Sequence, residues 1–514
     1  MNVTALLGDR AVAHPDRIAL IDRVAGQWRT TTYAQLEQAS QRLAAHLQQQ
    51  GWRAGDGVLI LQPVTADLYV VIAAVLRLGL IGIFLDPAAN LAANLQQFPP
   101  RALIASRKVA LWRWRYPPLR SLPLGAIADR WLTDSPSSEV LTTRYDAPAA
   151  AAALVAFTSG STARPKAMLR THGLLLAQHQ ALKPVLQFRA GAIEATALPL
   201  FVLPNLAAGL TVLLPPVNWR SPGQTHAQPV INALRQHRAE RLLAAPALLQ
   251  RLTDWSLARG VSLPDLRHIF LGGAPVLPAL VAQLQQLAPA AEITAVYGST
   301  EAEPIASLRH TAITATDLAR VQAGGGLPAG QPVAAINLRI LQPQVDDSAR
   351  SLSPAAFAAA TQPISQVGEI IVSGAHVLSS YLDPADNARC KLRVGETLWH
   401  RTGDAGYLDT QGRLWLLGRC RGRVQDGAGT IYPLAVEAIA NNYPGVRRSA
   451  LVSLSGERTL LIELAAPTNL EPLRQAITPL GVHRLERCRR LPVDRRHNAK
   501  LDYAVLERWL ARRR

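Results

Sequence analysis

The stretch Phe157-Thr158-Ser159-Gly160-Ser161-Thr162-Ala163-Arg164-Pro165-Lys166 places five small or hydroxylated residues, a proline and a lysine behind an apolar run from Ala149 to Phe157. That order predicts a buried strand feeding a tight loop able to wrap an anion. Small residues let backbone N–H groups approach phosphate oxygens, the hydroxyls add donors, and Lys166 adds a mobile positive charge. Two more apolar runs end in loops of similar chemistry, at Gly272-Gly273-Ala274-Pro275 and at Tyr297-Gly298-Ser299-Thr300-Glu301. Polar residues also cluster at His400-Arg401-Thr402-Gly403-Asp404 and at Gly418-Arg419, and Lys500 stands in a basic tail. Read singly, each has a plainer account. Asp404 reads as a turn acid, Glu301 as an acid at a helix N-terminus, Tyr297 as core and Lys500 as one more tail charge. His172, His400 and His497 lie beside these clusters without ligand spacing, so none reads as a metal ligand.

Elements that would position these loops are legible along the chain. Thr32 to Gln50 predicts an amphipathic helix with a Thr32/Gln35 capping box, Leu36, Ala39, Leu43 and Leu47 on one face, and Gly51 at its end. Val58–Leu61 predicts a buried strand. Val70 to Leu85 is apolar, but it is short for a membrane span and is broken by Arg77, Gly79 and Gly82, so a buried helix and then a strand from Ile81 are expected. A helix is expected from Gly173. Further strands are expected at Glu194–Leu200, Arg241–Ala245, Leu266–Leu271, Ile293–Val296, Gly368–Ser373, Leu414–Leu417 and Val446–Leu454. Leu277, Leu280, Val281, Leu284 and Leu287 fall at helical spacing and read as core. Ser351 to Pro363 reads as a surface loop. Alternating helices and strands predict an α/β fold with parallel or mixed sheets, in which ligands bind beyond the carboxyl ends of strands. The polar, glycine-containing stretch from Gly418 to Thr430 is the candidate boundary. It divides a large N-terminal domain, 1–418, from a small mobile α+β domain, 419–514.

The chain has 514 residues, 49% apolar and 18% charged, which exceeds one compact core. Three scattered cysteines, Cys390, Cys420 and Cys488, fit a reducing compartment and argue against a disulfide framework. Residues 1–9 lack a basic segment followed by an apolar core, so a cytoplasmic protein without a signal peptide or transmembrane segment is expected. The net charge is +18. From Gly481 to Arg514 there are ten arginines and one lysine against four acids. A nucleic-acid or membrane-surface protein would carry such charge. No aromatic ladder or zinc-finger pattern accompanies it, so no nucleic-acid partner is expected and a solvated basic surface is the plainer reading.

Taken in order, these motifs resemble the adenylate-forming superfamily of acyl-CoA synthetases, nonribosomal-peptide adenylation domains and luciferases, over about residues 10 to 505. The resemblance implies ATP-dependent activation of a carboxylic acid to an acyl-adenylate, with ATP and Mg²⁺ as cofactors. Thr158, Ser159, Gly160, Ser161, Thr162 and Lys166 would then hold the β- and γ-phosphates. Gly272, Gly273, Ala274 and Pro275 would flank adenine, and Tyr297 would stack on it beside Gly298 and Ser299. Thr300 would contact the α-phosphate and Glu301 would bind Mg²⁺. Asp404 would accept from the ribose hydroxyls with help from Arg419. Lys500 would bridge the carboxylate and the α-phosphate. Phe201, Asn205 and Gly209 lie where relatives line the acyl pocket.

The chain also departs from the family pattern. Ala163 and Ala167 stand where glycines are usual, Arg421 stands two positions after Arg419, and Gln425-Asp426-Gly427-Ala428-Gly429-Thr430 replaces a basic loop used in thioester formation. Arg496-His497-Asn498-Ala499-Lys500 and Tyr443-Pro444-Gly445-Val446 resemble the olefin-biosynthesis β-lactone synthetase branch. Its members adenylate a β-hydroxy acid whose own hydroxyl displaces AMP. A fatty or β-hydroxy fatty acid is the expected substrate. A CoA or acyl-carrier-protein ligase, with a carrier protein as partner, is the alternative, as is a weakly active homologue serving as a binding module.

Overall fold

The structure is a computed structural model that describes residues 1–85, 91–132, 140–158, 166–343, 351–493, 501 and 503–511. Two large sheets, a three-stranded sheet and a two-stranded hairpin carry the described residues. The first sheet orders its strands Leu124–Ile127, Ala102–Ala105, Gly57–Leu61, Ile81–Phe84, Ala152–Thr158 and Lys166–Thr171. All neighbours are parallel except the last pair, which is antiparallel and sets Thr158 opposite Lys166. The apolar segment noted in the sequence is the buried helix Ala66–Arg77 followed by the strand Ile81–Phe84.

The second sheet has a parallel half, running Thr211–Leu213, Ile193–Thr196, Arg241–Ala244, His268–Gly272 and Glu292–Ser299. It turns antiparallel at Ala302–Arg309 and continues through Leu327–Pro332, Leu414–Arg419, Thr397–Leu408, Gly368–Ser373 and Asn337–Leu341. Its other edge is an N-terminal hairpin, Ile18–Val24 with Gln27–Thr32, which pairs with Thr211–Leu213. The helix that follows, Tyr33–Gln49, has both halves of the Thr32/Gln35 capping box, and Leu36, Ala39, Leu43 and Leu47 are fully buried. Satisfied N–H groups at one end and a continuous apolar face explain why that helix was legible.

Four expectations need correction. Residues 351–363 are not a loop: Ser353 caps a helix, Pro354–Ala360, with proline at its first position and alanines, the best helix formers, behind it. The strand expected over Glu194–Leu200 ends at Thr196, and Pro199–Phe201 is a short 3₁₀ turn. Tyr297 to Ser299 is strand rather than loop, because Ser299 pairs with Ala302 and only Thr300 and Glu301 form the turn. Residues 401–404, expected as a polar stretch between the strands Gly368–Ser373 and Leu414–Leu417, lie inside the long strand Thr397–Leu408.

The small sheet, Val446–Leu454, Glu457–Leu464 and Arg484–Cys488, carries the C-terminal helices. Its helix Pro433–Asn441 shares one core with Leu327, Tyr407, Trp415 and Leu417 of the large sheet. Glu437 on that helix is buried, accepting from Leu451 N at 2.9 Å and from the Tyr503 hydroxyl at 3.2 Å. Burial pushes its carboxyl up to about 7. The folded chain therefore keeps a proton that the unfolded chain releases near 4.5. The stability this proton contributes is intact at low pH and is lost as the pH rises through 7. Glu437→Gln mimics the protonated form. Urea unfolding is expected to show the variant more stable than the parent at pH 8, on the order of 3 kcal/mol, with no gain at pH 4. A gain equal at both pH values would refute the assignment.

Candidate functional site

The carboxyl end of Glu292–Ser299 brings two polar clusters together. The first centres on Asp404. The Tyr297 hydroxyl donates to Asp404 Oδ2 at 2.8 Å, and Arg419 Nε lies 3.1 Å from Oδ1. Asp404 and Arg419 are direct cross-strand partners, and Arg419 also donates to Thr402 O at 3.1 Å. The Thr402 hydroxyl donates to Ile370 O at 2.7 Å and accepts from Asp404 N at 3.1 Å, which fixes the backbone under the carboxylate. Burial and Asp404 push the Tyr297 hydroxyl well above its usual value, so it remains a donor. Gly272 closes one wall. A Cβ there would sit 2.5 Å from Val296 O, so only glycine lets the neighbouring strands approach, and Gly273 follows at φ +83°.

The second cluster centres on Glu301. The Tyr381 hydroxyl donates to Glu301 Oε1 at 2.9 Å. The Lys166 ammonium lies 5.2 Å over the Tyr381 ring and donates to Cys390 Sγ at 3.0 Å. Burial would raise the Glu301 carboxyl, but His400, Tyr381 and Lys166 outweigh it and hold the group below the usual carboxylate range. His400 is itself held down to about 3 by burial and Lys391. It is neutral at pH 7, which leaves the Tyr381 hydroxyl, the backbone N–H of Glu301 and the Lys166 charge as the groups that favour the carboxylate. Lys391 donates to Leu378 O and lies 3.4 Å from His400 Nδ1; burial lowers its ammonium to about 8. A partly buried, ionised carboxylate is a hard oxygen donor that suits Mg²⁺, a cation that takes its other ligands from phosphate and water.

Of the residues singled out in the sequence, Tyr297, Asp404 and Arg419 meet in the first cluster, and Glu301 and Lys166 in the second. Thr300 sits in the turn between them. Thr158 ends its strand opposite Lys166. Ser159, Gly160, Ser161, Thr162, Ala163 and Lys500 lie outside the described residues. Residues flanking Lys500 are anchored, since Val493 bridges to Leu501 and Tyr503 reaches Glu437. Ala167 is not in a loop. It is fully buried in a regular strand and packs with Val155 and Phe157, on the side away from Lys166. Its methyl serves the core. Asn205 is also redirected: its amide donates to Glu194 and, at 2.9 Å, to Thr196 Oγ1, within a network that includes Arg241.

Sequence reasoning missed Tyr381, Cys390 and Lys391. They come from a segment that carries none of the motifs read in the sequence, and backbone contacts deliver it to the site: the bridges Met168↔Tyr381 and Ala302↔Val377, Leu378 N donating to Glu301 O at 2.6 Å and Leu382 N donating to Ala167 O at 2.9 Å. Among the described residues no group of three or more His, Cys, Asp and Glu side chains gathers as a metal cage. Near the Lys166 strand lies a cavity of about 60 Å³ lined mainly by apolar side chains, among them Tyr69, Ala73, Leu175 and Leu203, with Arg170 and Gln178 on its wall.

The profile of the AMP-binding enzyme family matches residues 7–382. The chain is 29% identical to an olefin beta-lactone synthetase of Xanthomonas campestris pv. campestris, covering 100% of this chain and 98% of the relative. It is 30% identical to an olefin beta-lactone synthetase of Stenotrophomonas maltophilia, covering 99% and 98%. Among solved structures it is similar to the O-succinylbenzoate coenzyme A synthetase of Bacillus subtilis in complex with ATP and magnesium ion. That match has a TM-score of 0.77 at 22% identity and covers 98% of this chain and 99% of the other. This last likeness shows the fold.

Gly272→Ala is expected to force the strands His268–Gly272 and Glu292–Ser299 apart. A loss of several kcal/mol of stability, on the order of an overpacked core site, should appear as a lowered unfolding midpoint. Gly427→Ala meets nothing within 4 Å and should leave the midpoint unmoved. Equal effects would show that the close approach is not the constraint.

Proposed function

The chain belongs to the AMP-binding enzyme family and is an adenylate-forming enzyme, and from that premise we propose that it activates a fatty or β-hydroxy fatty acid and closes it to a β-lactone. The observation that carries this reading is the end-to-end match with two olefin beta-lactone synthetases. The apolar cavity beside the Lys166 strand supports an alkyl chain as the acyl portion.

The first step is attack of a carboxylate oxygen on the α-phosphate of ATP. Pyrophosphate leaves and an acyl-adenylate remains. Charge develops on phosphate oxygens, so the residues that matter are cations and positioned donors. In this reading Thr158, Ser159, Gly160, Ser161, Thr162 and Lys166 hold the β- and γ-phosphates. Thr300 contacts the α-phosphate, Glu301 holds Mg²⁺, and Lys500 bridges the acid and the α-phosphate. Asp404 accepts from the ribose with its free orientation removed by Tyr297 and Arg419, while Gly272 to Pro275 and the Tyr297 ring bound adenine, with Gly298 and Ser299 beside them. In the second step the β-hydroxyl oxygen bonds to the acyl carbon, its proton passes to solvent, and AMP leaves as the carbon–oxygen bond to phosphate breaks.

A thiol-independent second step is supported by residues 425–430. They form a tight hairpin, Val424–Asp426 with Gly429–Ile431, clamped by Arg458 to Asp426 at 2.7 and 2.8 Å. In this reading residues 1–418 form the ATP- and acid-binding domain and 419–514 a lid carrying Lys500. A cytoplasmic setting is supported by three free cysteines, and CoA or an acyl carrier protein is the alternative acceptor.

ATP–pyrophosphate exchange with a panel of fatty, β-hydroxy and aromatic acids tests the reading. Exchange is expected with at least one aliphatic acid and should fall by several orders of magnitude in Lys500→Ala. A β-hydroxy acid should release AMP without thiol. Strict dependence on CoA or a carrier protein would sink the lactone step, and no exchange from folded protein would favour a binding module. Tyr381→Phe removes the donor that keeps Glu301 ionised, so the acid limb of exchange should move to higher pH. An unmoved limb would remove Tyr381 from that role.

A further inference from the structure

Residues 107–120 form a surface that the adenylation chemistry does not use. The segment runs as the helix Arg107–Trp112, a 3₁₀ turn Arg113–Arg115 and a short helix Pro117–Arg120. Its underside is anchored. Ser106 caps the first helix, Val109 and Ala110 pack against the core of the first sheet, and Leu119 is 3% exposed. Its upper side is not. Leu111, Trp112, Trp114 and Tyr116 are 71%, 56%, 59% and 52% exposed. Three of the four exposed aromatic side chains among the described residues thus fall within five positions. Folding normally hides such side chains, and clustered exceptions mark interaction sites.

The charge around them is mainly positive, with the Asp129 carboxylate accepting from Arg107 N at 3.2 Å at the start of the segment. Arg107, Lys108, Arg113, Arg115 and Arg120 lie in the segment, and no acidic residue occurs from 107 to 128. The guanidinium of Arg113 lies 4.9 Å from the Trp114 ring and that of Arg115 lies 5.0 Å from the Trp112 ring. These contacts place a guanidinium over each exposed indole. The pattern is amphipathic at short range: rings with polar tips, an apolar leucine, and cations among them. Tryptophan and tyrosine favour the level of lipid headgroups, and arginine favours anionic ones. Exposures above half describe an open patch rather than a groove for a peptide or a strand.

We propose that residues 107–120 dock the enzyme on an anionic phospholipid surface, with Trp112, Trp114 and Tyr116 inserted at headgroup level and the exposed cations Arg107, Lys108, Arg115 and Arg120 facing lipid phosphates. The segment starts at the carboxyl end of the strand Ala102–Ala105. That is the same end of the sheet at which Ala152–Thr158 delivers Thr158, three strands away or roughly 14 Å. Docking there sets the site beside a lipid surface without the patch entering it. The inference does not depend on which acid is activated.

Co-sedimentation of the full chain with phosphatidylglycerol vesicles and with phosphatidylcholine vesicles tests it. Binding is expected to the anionic vesicles only, to weaken steeply between low and physiological salt, and to be accompanied by quenching of tryptophan emission when the lipid chains are brominated. Trp112→Ala/Trp114→Ala keeps every charge and should lower binding about ten-fold. Lys108→Glu/Arg115→Glu keeps both indoles and should lower it at least as much. Unchanged unfolding midpoints would show that both variants keep the fold. Pyrophosphate exchange in solution should be unaltered in both, which separates failure of docking from failure of the adenylation reading. No binding to anionic vesicles, or binding that neither variant weakens, would overturn the proposal. The second result would assign the attraction to the basic tail or to net charge alone. A loss in the charge variant but not in the tryptophan variant would also overturn it, since it would leave attraction without insertion.

Discussion

The Asp404 carboxylate ties together parts of the chain that share no local sequence logic. One oxygen takes a hydrogen bond from Tyr297, which ends the parallel half of the large sheet, and the other faces Arg419, on the neighbouring antiparallel strand. Those strands meet only because the sheet changes from parallel to antiparallel pairing at Ala302–Arg309. Without the carboxylate, the half-buried Tyr297 hydroxyl would lose its acceptor and the partly exposed Arg419 guanidinium would keep only Thr402 O. The site forms on the seam.

The Glu301 cluster works on a different principle. Here the problem is to keep a partly buried carboxylate ionised with few direct partners. Tyr381 supplies one hydrogen bond and Lys166 supplies charge across the tyrosine ring. Lys391 stands behind them, itself poised near neutrality. A group arranged to remain anionic against burial is suited to hold a cation. The same arrangement explains why Lys166 is not left to solvent: Cys390 and the Tyr381 face hold it beside Glu301.

Most of the fold was legible where local signals agreed with the tertiary answer. The Thr32/Gln35 box, the Leu36–Leu47 face and the strand after Gly79 each followed from spacing and end signals, and each sits where those signals put it. The misreadings share a cause. Residues 351–363 and 297–299 were assigned by composition, yet a serine cap turned the first into helix and pairing with Ala302–Arg309 extended the second as strand. Cross-strand partners are not written locally. The same limit hid Tyr381 and Lys391, whose relevance arises from long-range backbone contacts of their segment with Met168, Ala302, Glu301 and Ala167. The glycines at 272 and 298 were visible because close backbone approach demands them, as Gly272 against Val296 O illustrates.

Ala167 shows how placement changes the meaning of a substitution. Read in sequence, a methyl in place of hydrogen stiffens a phosphate loop. Strand alternation sends Lys166, Met168 and Arg170 to one face and Ala167 and Leu169 to the other. Met168 packs with Tyr381 and Cys390, whereas Ala167 packs with Val155 and Phe157. An alanine on the core face adds apolar contact and takes no space from the face that carries Lys166. It also favours extended backbone over the wider range open to glycine, which sharpens the direction in which Lys166 leaves the strand. The departure from glycine at this position is therefore compatible with a working site, because period-two geometry separates the side chain that packs from the one that binds.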